Sequence, residues 1–445
     1  MQDIIELSDH FDYKRLLRFT LPSILMMILT SIYGVVDGFF VSNFVGKTAF
    51  AAVNFIMPFL MVVGAMGFML GTGGSALIAK TLGEGDRAKA QKIFSLVVFS
   101  TVACGCIISV ISIISLRSIA CALGAEGEML DNCVIYGRII LVTLPFLMLQ
   151  YAFSSLVITA QRARLGLVIT VAAGLINAVC DALFMVVLPW GIEGAALASA
   201  LGELAGGLVP LIYFARKNSS LLQIGWPHWD GVVLFKVCTN GSSELMSNIS
   251  MSVVGMLYNM QLMKYAGEDG VAAYGTIMYV DFIFLAIFIG YATGVIPVIS
   301  YHYGAGNRAE LNNLLRKSGA IILAGSMAMV LISHVFPRPL AAIFVGYDAK
   351  LLDMTVEAFK IYAFSFLLAG FSIFGSAFFT ALNDGLTSAV ISFMRTLVFE
   401  SSAVLIMPLF MGTAGIWYSI NIAEFMAVCM IAYFLISKNK VYGYW

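Results

Sequence analysis

Charge is what this chain has least of. Asp, Glu, Lys and Arg make up 11% of its 445 residues, against roughly 25% in a soluble domain. Hydrophobic residues account for 60%, and the mean hydropathy is +0.94. A soluble chain of this length could not cover so apolar a core with polar surface, so that class is excluded. Histidines number four and are scattered, which leaves a membrane-embedded enzyme without a nucleophile–base or metal constellation. The seven cysteines (104, 106, 121, 133, 180, 238 and 429) show no metal-ligand spacing and fall mostly inside apolar runs. They read as small packing residues. No GxxxxGKS or GxxxxGKT sequence occurs, so ATP bound by this polypeptide is not its energy source. No cofactor and no nucleic-acid partner are expected.

Long apolar runs are what the chain does have. Twelve are long enough to span a bilayer: residues 16–43, 50–79, 93–116, 136–159, 165–188, 192–215, 237–264, 271–300, 314–336, 359–381, 387–407 and 416–436. Their apolar character is continuous rather than alternating, which predicts helices and not barrel strands. The polar, acidic start MQDIIELSDHFDYKR has no signal-peptide pattern, so the first span is expected to serve as the uncleaved signal. Of the 25 Lys and Arg, seventeen fall on the side of the termini, seven (47, 117, 138, 264, 338, 350 and 360) on the other, and Arg395 within a span. That bias predicts cytoplasmic termini in the plasma membrane or bacterial inner membrane.

The chain also matches itself at an offset of 221. Gly83, Gly85 and Arg87 fall on Gly304, Gly306 and Arg308; Phe153, Ser155 and Thr159 on Phe374, Ser376 and Thr380; Gly191, Gly194 and Glu203 on Gly412, Gly415 and Glu424. Two copies of one six-span unit enter the membrane from the same side, because six is even, and are therefore parallel repeats. The expected fold class is all-α integral membrane, with an N-terminal lobe over 1–215, a cytoplasmic linker over 216–236 and a C-terminal lobe over 237–445. The linker contains Trp226-Pro227-His228-Trp229 and reads as an amphipathic connector with Trp at headgroup depth.

Polar residues inside the spans carry the chemistry. Asp37 lies in span 1 and Asp181 in span 5, where a carboxylate costs about 2.5–3.5 kcal/mol on insertion scales. Asn177 stands one helical turn before Asp181 on the same face, and Ser199 follows across a short connection. Such an all-oxygen cluster suits Na⁺, and a desolvated carboxylate pair equally suits H⁺. The repeat partners of Asp37, Asn177, Asp181 and Ser199 are Tyr258, Val398, Ser402 and Ile420. The scaffold is duplicated and the cluster is not. Glu203 and Glu424 form a repeat-matched pair that reads as lobe-stabilising. Glu244, Asp281 and Glu400 are further acids on C-lobe spans. Tyr33, Gln150, Tyr151, Met278, Tyr279, Asp281 and Phe282 are candidates for a substrate cavity, since aromatic faces and thioethers accept varied organic cations.

VDGFFVSNFVG in span 1, LGEGDRAKAQ with its echo YGAGNRAEL, INAVCDALF followed by GIEGAALASALGE, and GIWYSINIAE in span 12 together resemble the multidrug and toxic compound extrusion (MATE) family over essentially the whole length. The resemblance implies two six-helix lobes forming a V around a central cavity. It further implies export of amphipathic organic cations against inward flow of H⁺ or Na⁺, by a protein expected to act as a monomer in the lipid bilayer. In many bacterial members an Asp of helix 1, an Asn and an Asp of helix 5 and a Thr of helix 6 form the ion site. These positions carry onto Asp37, Asn177, Asp181 and Ser199, with Ser keeping the hydroxyl. The branch with C-lobe acids on helices 7 and 10 fits less well, because span 10 has no acid and Glu244 lies close to the cytoplasmic end of span 7. A lipid-linked oligosaccharide flippase is the alternative, for which more Lys or Arg inside the spans would be expected.

Overall fold

In hydrocarbon every backbone N–H and C=O must find a partner within its own segment, and the apolar runs accordingly fold as helices. The structure, a computed structural model, describes residues 5–346 and 348–445, and of Lys47 the backbone alone. Residues 1–4 of the polar leader, and the Lys47 side chain counted in the charge bias, lie outside the described residues. Among the described residues no β-strand occurs. In the N-terminal half, α1 is Tyr13–Val45, α2 Thr48–Gly83, α3 Arg87–Leu123, α4 Gly127–Thr159, α5 Ala163–Val187 and α6 Gly191–Ala215. The next helical stretch, Gly231–Gly304, is 74 residues long, about 110 Å at 1.5 Å per residue. It cannot cross an apolar layer of about 30 Å only once. Gly267, at φ 67° and ψ −156°, divides it, a backbone state open to glycine and hardly to anything else. The halves are α7 (231–266) and α8 (268–304). Then come α9 Arg308–Val335, α10 Ala349–Ala381, α11 Gly385–Met411 and α12 Thr413–Tyr442.

The duplication is visible in the caps. Asp86 accepts from the Lys89 N–H at the start of α3, and its repeat partner Asn307 accepts from the Glu310 N–H at the start of α9. Helices run several residues beyond the apolar runs at many ends, and three places show why. Helix α10 begins ten residues before the run at 359, because Asp348 caps an amphipathic turn, Ala349–Tyr362, too charged to register as apolar. A short helix, Pro337–Val345, precedes it and buries Ala341 and Val345. Helix α7 starts at Gly231, capped by Asp230, so the last six residues of the expected linker are helical. The rest of the linker is fastened to the N-terminal half. Arg87 and Arg162 donate to the carbonyls of Leu221 and Ser219, and the Gly225 N–H donates to Ser95.

Helices α1–α6 pack on one another, as do α7–α12, and the two bundles meet through α1, α2, α7 and α8. Bare backbone makes the closest crossings. A Cβ on Gly73 of α2 would strike the Val237 carbonyl of α7, and one on Gly241 of α7 the Met69 carbonyl of α2. Gly83 and Gly304, a repeat pair, meet α8 and α2 in the same reciprocal way, and Lys80 lies 5.3 Å over the Tyr303 ring beside them. Away from this end the bundles diverge. A Cβ on Gly34, Gly255 or Gly275, ten or more residues farther along α1, α7 and α8, would meet nothing within 4 Å. The result is a V, joined at the end holding Arg87 and Arg308 and open at the other.

The segment before α1 reaches across the join. Phe11 is fully buried. Its N–H donates to Glu310 Oε1 at 3.0 Å, and its carbonyl accepts from Asn313 at 2.9 Å and Lys317 at 2.7 Å, all on α9. Phe11→Ala leaves those backbone bonds possible but empties the space the ring fills. A cost of about 3–5 kcal/mol is expected, read as a melting temperature lowered by several degrees in purified protein.

A candidate ion site and substrate cavity in the N-terminal lobe

Two of the N-lobe helices change pitch directly after their acids. In α1 the π-helical turn Val41–Val45 begins one turn after Asp37, and in α5 the π-helical segment Ala182–Val187 begins immediately after Asp181. Such turns free backbone groups and recur at functional positions. Asp37, Asn177 and Asp181 are 8%, 9% and 0% exposed. Ser199 on α6 donates to Asp37 Oδ1 at 3.4 Å. Asn177 packs against α6 at Gly202, where the lack of a side chain lets α5 come close. Neither oxygen of Asp181 has a hydrogen-bond partner, and Asp37 lies within its electrostatic range. The four residues thus come from α1, α5 and α6 into one interior.

Two more join them. Tyr136 of α4 is 1% exposed, and its hydroxyl lies beside Ser199. Nothing in the sequence singles it out: it is one tyrosine among 18, and its repeat partner is Glu357. Glu203, read above as lobe-stabilising, accepts from Thr143 at 2.7 Å and also lies within range of Asp37. The charged neighbour of both Asp181 and Glu203 is therefore another carboxylate. Desolvated like charges cannot all remain ionised without a counter-ion, so the arrangement is chemically suited to a proton or a small cation. Tyr136→Phe removes the hydroxyl beside Ser199 at a cost of about 0.5–1.5 kcal/mol. The ion concentration for half-maximal transport should rise roughly 2- to 10-fold, as measured in an ion titration of dye export.

The seven cavity candidates separate into four places. Gln150 and Tyr151 line a small cleft of about 40 Å³ inside the N-terminal lobe, with Met26, Met27, Phe68 and Ser154. Tyr151 stacks on Phe68 at 4.1 Å, and Gln150 Oε1 is buried without a partner. Tyr33 fills the space left by Gly174 of α5. Tyr279 and Phe282 are exposed on α8, the first stacked on Phe344 at 5.0 Å, while Met278 packs against the core. Asp281 does not stand beside them. It is 5% exposed, inside the C-terminal lobe, where Tyr362 donates to it at 3.2 Å.

With twelve helices, an internal repeat and this geometry in place, the comparison with known proteins is decisive. The MatE family model matches residues 22–183 and 245–406, once in each half and over most of the chain. The chain belongs to the MATE family. A multidrug export protein MepA of Staphylococcus haemolyticus is 26% identical over 435 residues, 96% of this chain and 94% of that protein. The MepA of Staphylococcus saprophyticus is 24% identical over 426 residues, 95% and 93% of the two chains. Among solved structures, a MATE transporter described as outward-facing superimposes with a TM-score of 0.93 at 22% identity, over 100% of this chain and 99% of that one. A MATE in complex with MaL6 gives 0.91 at 23% identity, over 97% of each. These likenesses bear on the fold, which is that of MATE transporters: two six-helix lobes in a V.

Proposed function

We propose that this MATE transporter is a secondary antiporter that exports amphipathic organic cations in exchange for H⁺ or Na⁺. The cluster of Asp37, Asn177, Asp181 and Ser199, with Tyr136 and Glu203 beside it, is its coupling site. The observation that carries the reading is Asp181, a fully buried carboxylate whose two oxygens have no partner. Left ionised and bare it would cost several kcal/mol, and a proton or Na⁺ removes that cost. The MepA names extend the reading to drugs, and the Met- and aromatic-lined cleft supplies a surface for flat cations.

The Lys and Arg bias sets the joined end of the V in the cytoplasm, so the space between the lobes opens to the outside in this conformation. An ion entering from outside binds beside α1 and α5, whose π-helical turns let them repack, and drug affinity falls on that side. The lobes then close outside and part inside, and the ion leaves to the cytoplasm as the next drug binds. Each ligand shifts the equilibrium only by its differential affinity for the two states. A flippase for a pyrophosphate-linked lipid would need free cations inside the lobes, whereas Arg395, set within a span, is paired with Glu424.

Dye-loaded proteoliposomes under an H⁺ gradient alone, and then a Na⁺ gradient alone, test the reading. Export should run under one of them and stop when it is collapsed. Equal export with neither gradient would refute antiport.

A further inference from the structure

The C-terminal lobe contains an interior polar cluster that the ion site above does not use. Arg395 of α11 donates to Glu424 Oε1 of α12 from Nε at 2.8 Å and from its terminal nitrogen at 2.5 Å. Glu400 ends the π-helical segment Phe393–Glu400 that carries Arg395. Asp281 of α8 accepts from Tyr362 of α10. Tyr258 of α7 stacks on Tyr274 of α8 at 4.9 Å, and its hydroxyl lies beside Glu400. The charged and titratable groups that face one another here are therefore Asp281, Arg395, Glu400 and Glu424, with the phenols of Tyr258, Tyr274 and Tyr362.

The repeat explains where the cluster sits. Tyr258 is the partner of Asp37, Glu424 of Glu203, and Arg395 of Gly174. It occupies the place that the ion site holds in the other lobe, built from different groups. The charges do not balance. Arg395 neutralises Glu424, and Asp281 and Glu400 are left with phenols and no second cation. Asp281 is buried and Glu400 half-buried; a carboxylate within a span costs about 2.5–3.5 kcal/mol on insertion scales, and the acid forms cost little. Glu424 Oε2 and the Tyr258 oxygen are both buried and unpartnered, and Glu424 is 1% exposed. A carboxylic O–H on Glu400 would be a donor to the Tyr258 oxygen beside it.

We propose that Asp281 and Glu400, beside the Arg395–Glu424 pair, form a second proton-binding site that loads and unloads as the transporter cycles. Its ligand is H⁺. The guanidinium fills the part of the site a metal ion would need, so Na⁺ is not a ligand here. The proposal draws on the antiport reading only for the motion that loads and unloads the site. Proton uptake itself is measurable without drug or gradient.

The test is infrared difference spectroscopy of the purified full-length protein, reading the C=O stretch of protonated carboxyl groups as pH is stepped from alkaline to acid. In an Asp37→Asn, Asp181→Asn background, a carboxyl signal should persist and be insensitive to Na⁺. Asp281→Asn and Glu400→Gln should each remove part of it, and together all but any contribution from Glu203 and Glu244. A signal unchanged by both substitutions, or one suppressed by Na⁺, overturns the proposal. Should either acid variant fail to fold, Tyr258→Phe and Tyr362→Phe keep the acids and should move the midpoint of the C-lobe signal; no movement in either also overturns it. Dye export lost in the wild type with the infrared signal intact would count against the antiport reading and not against this site.

Discussion

Asp181→Asn should abolish ion-driven dye export while making the folded protein no less stable. The two effects have one cause. The carboxylate is fully buried and both its oxygens lack partners, so in the ion-free state it is a liability to the fold. Asparagine is nearly the same size and carries no charge, and it resembles the protonated form permanently. The melting temperature of the purified variant should be unchanged or raised, where a residue chosen for stability would lower it. Transport loses the difference between loaded and unloaded site. Coupling free energies of 1–3 kcal/mol correspond to about 5- to 150-fold changes in affinity, and removing that coupling should lower gradient-driven export at least about 10-fold. Asp37→Asn should do the same, with one distinction: Asp37 accepts from Ser199, and an asparagine there can keep that bond through its carbonyl oxygen. Export at wild-type level in both variants would remove these carboxylates from the mechanism.

The second large effect lies at the join of the lobes. Gly241→Leu should collapse the population of the state in which the lobes are joined at this end. A Cβ on Gly241 would run into the Met69 carbonyl and the Gly73 N–H of α2, backbone that cannot move aside as a side chain could. Overpacking of this kind costs about 1–3 kcal/mol, and the upper value shifts a two-state population roughly 100-fold. The conformer that escapes the clash has the two lobes apart at the end now joined. Spin labels at Glu84 and Ala309, both exposed near the Gly83–Gly304 crossing, would report it in a chain whose native cysteines are replaced. Their separation should lengthen and its distribution broaden. A short, unchanged distance would mean that this crossing does not set the conformational equilibrium.

How much of this could be read from the residues alone depends on how local each signal is. Membrane spans and the repeat are one-dimensional properties: apolar run length predicts the crossings, and the offset pairs Gly83 with Gly304. The break between α7 and α8 was legible because residues 265–270 interrupt the apolar run. The start of α10 was not, since AKLLDMTVEAFKIY is amphipathic and its helix owes its N-terminus to Asp348. Within the ion site, Asp37 and Asp181 stood out because a charge in an apolar run is costly wherever it points. Tyr136 did not, because a tyrosine in a span is ordinary and only the packing of α4 against α6 brings it to Ser199. The π-helical turns following Asp37 and Asp181 leave no sequence mark. The acids of the C-terminal lobe were visible one at a time, but the Arg395–Glu424 pair joins residues 29 apart on different helices, and neither spacing nor offset announces it.

The account stands on a small ion binding at the Asp37–Asp181 cluster and being exchanged for drug. Because linkage is reciprocal, an imposed drug gradient must drive that ion the other way. In proteoliposomes carrying an organic-cation gradient and no initial ion gradient, ion flux should appear opposite to drug flux in the wild type and vanish in the Asp37→Asn, Asp181→Asn variant. Drug crossing the membrane with no accompanying ion flux, or ion flux surviving in the variant, would contradict it.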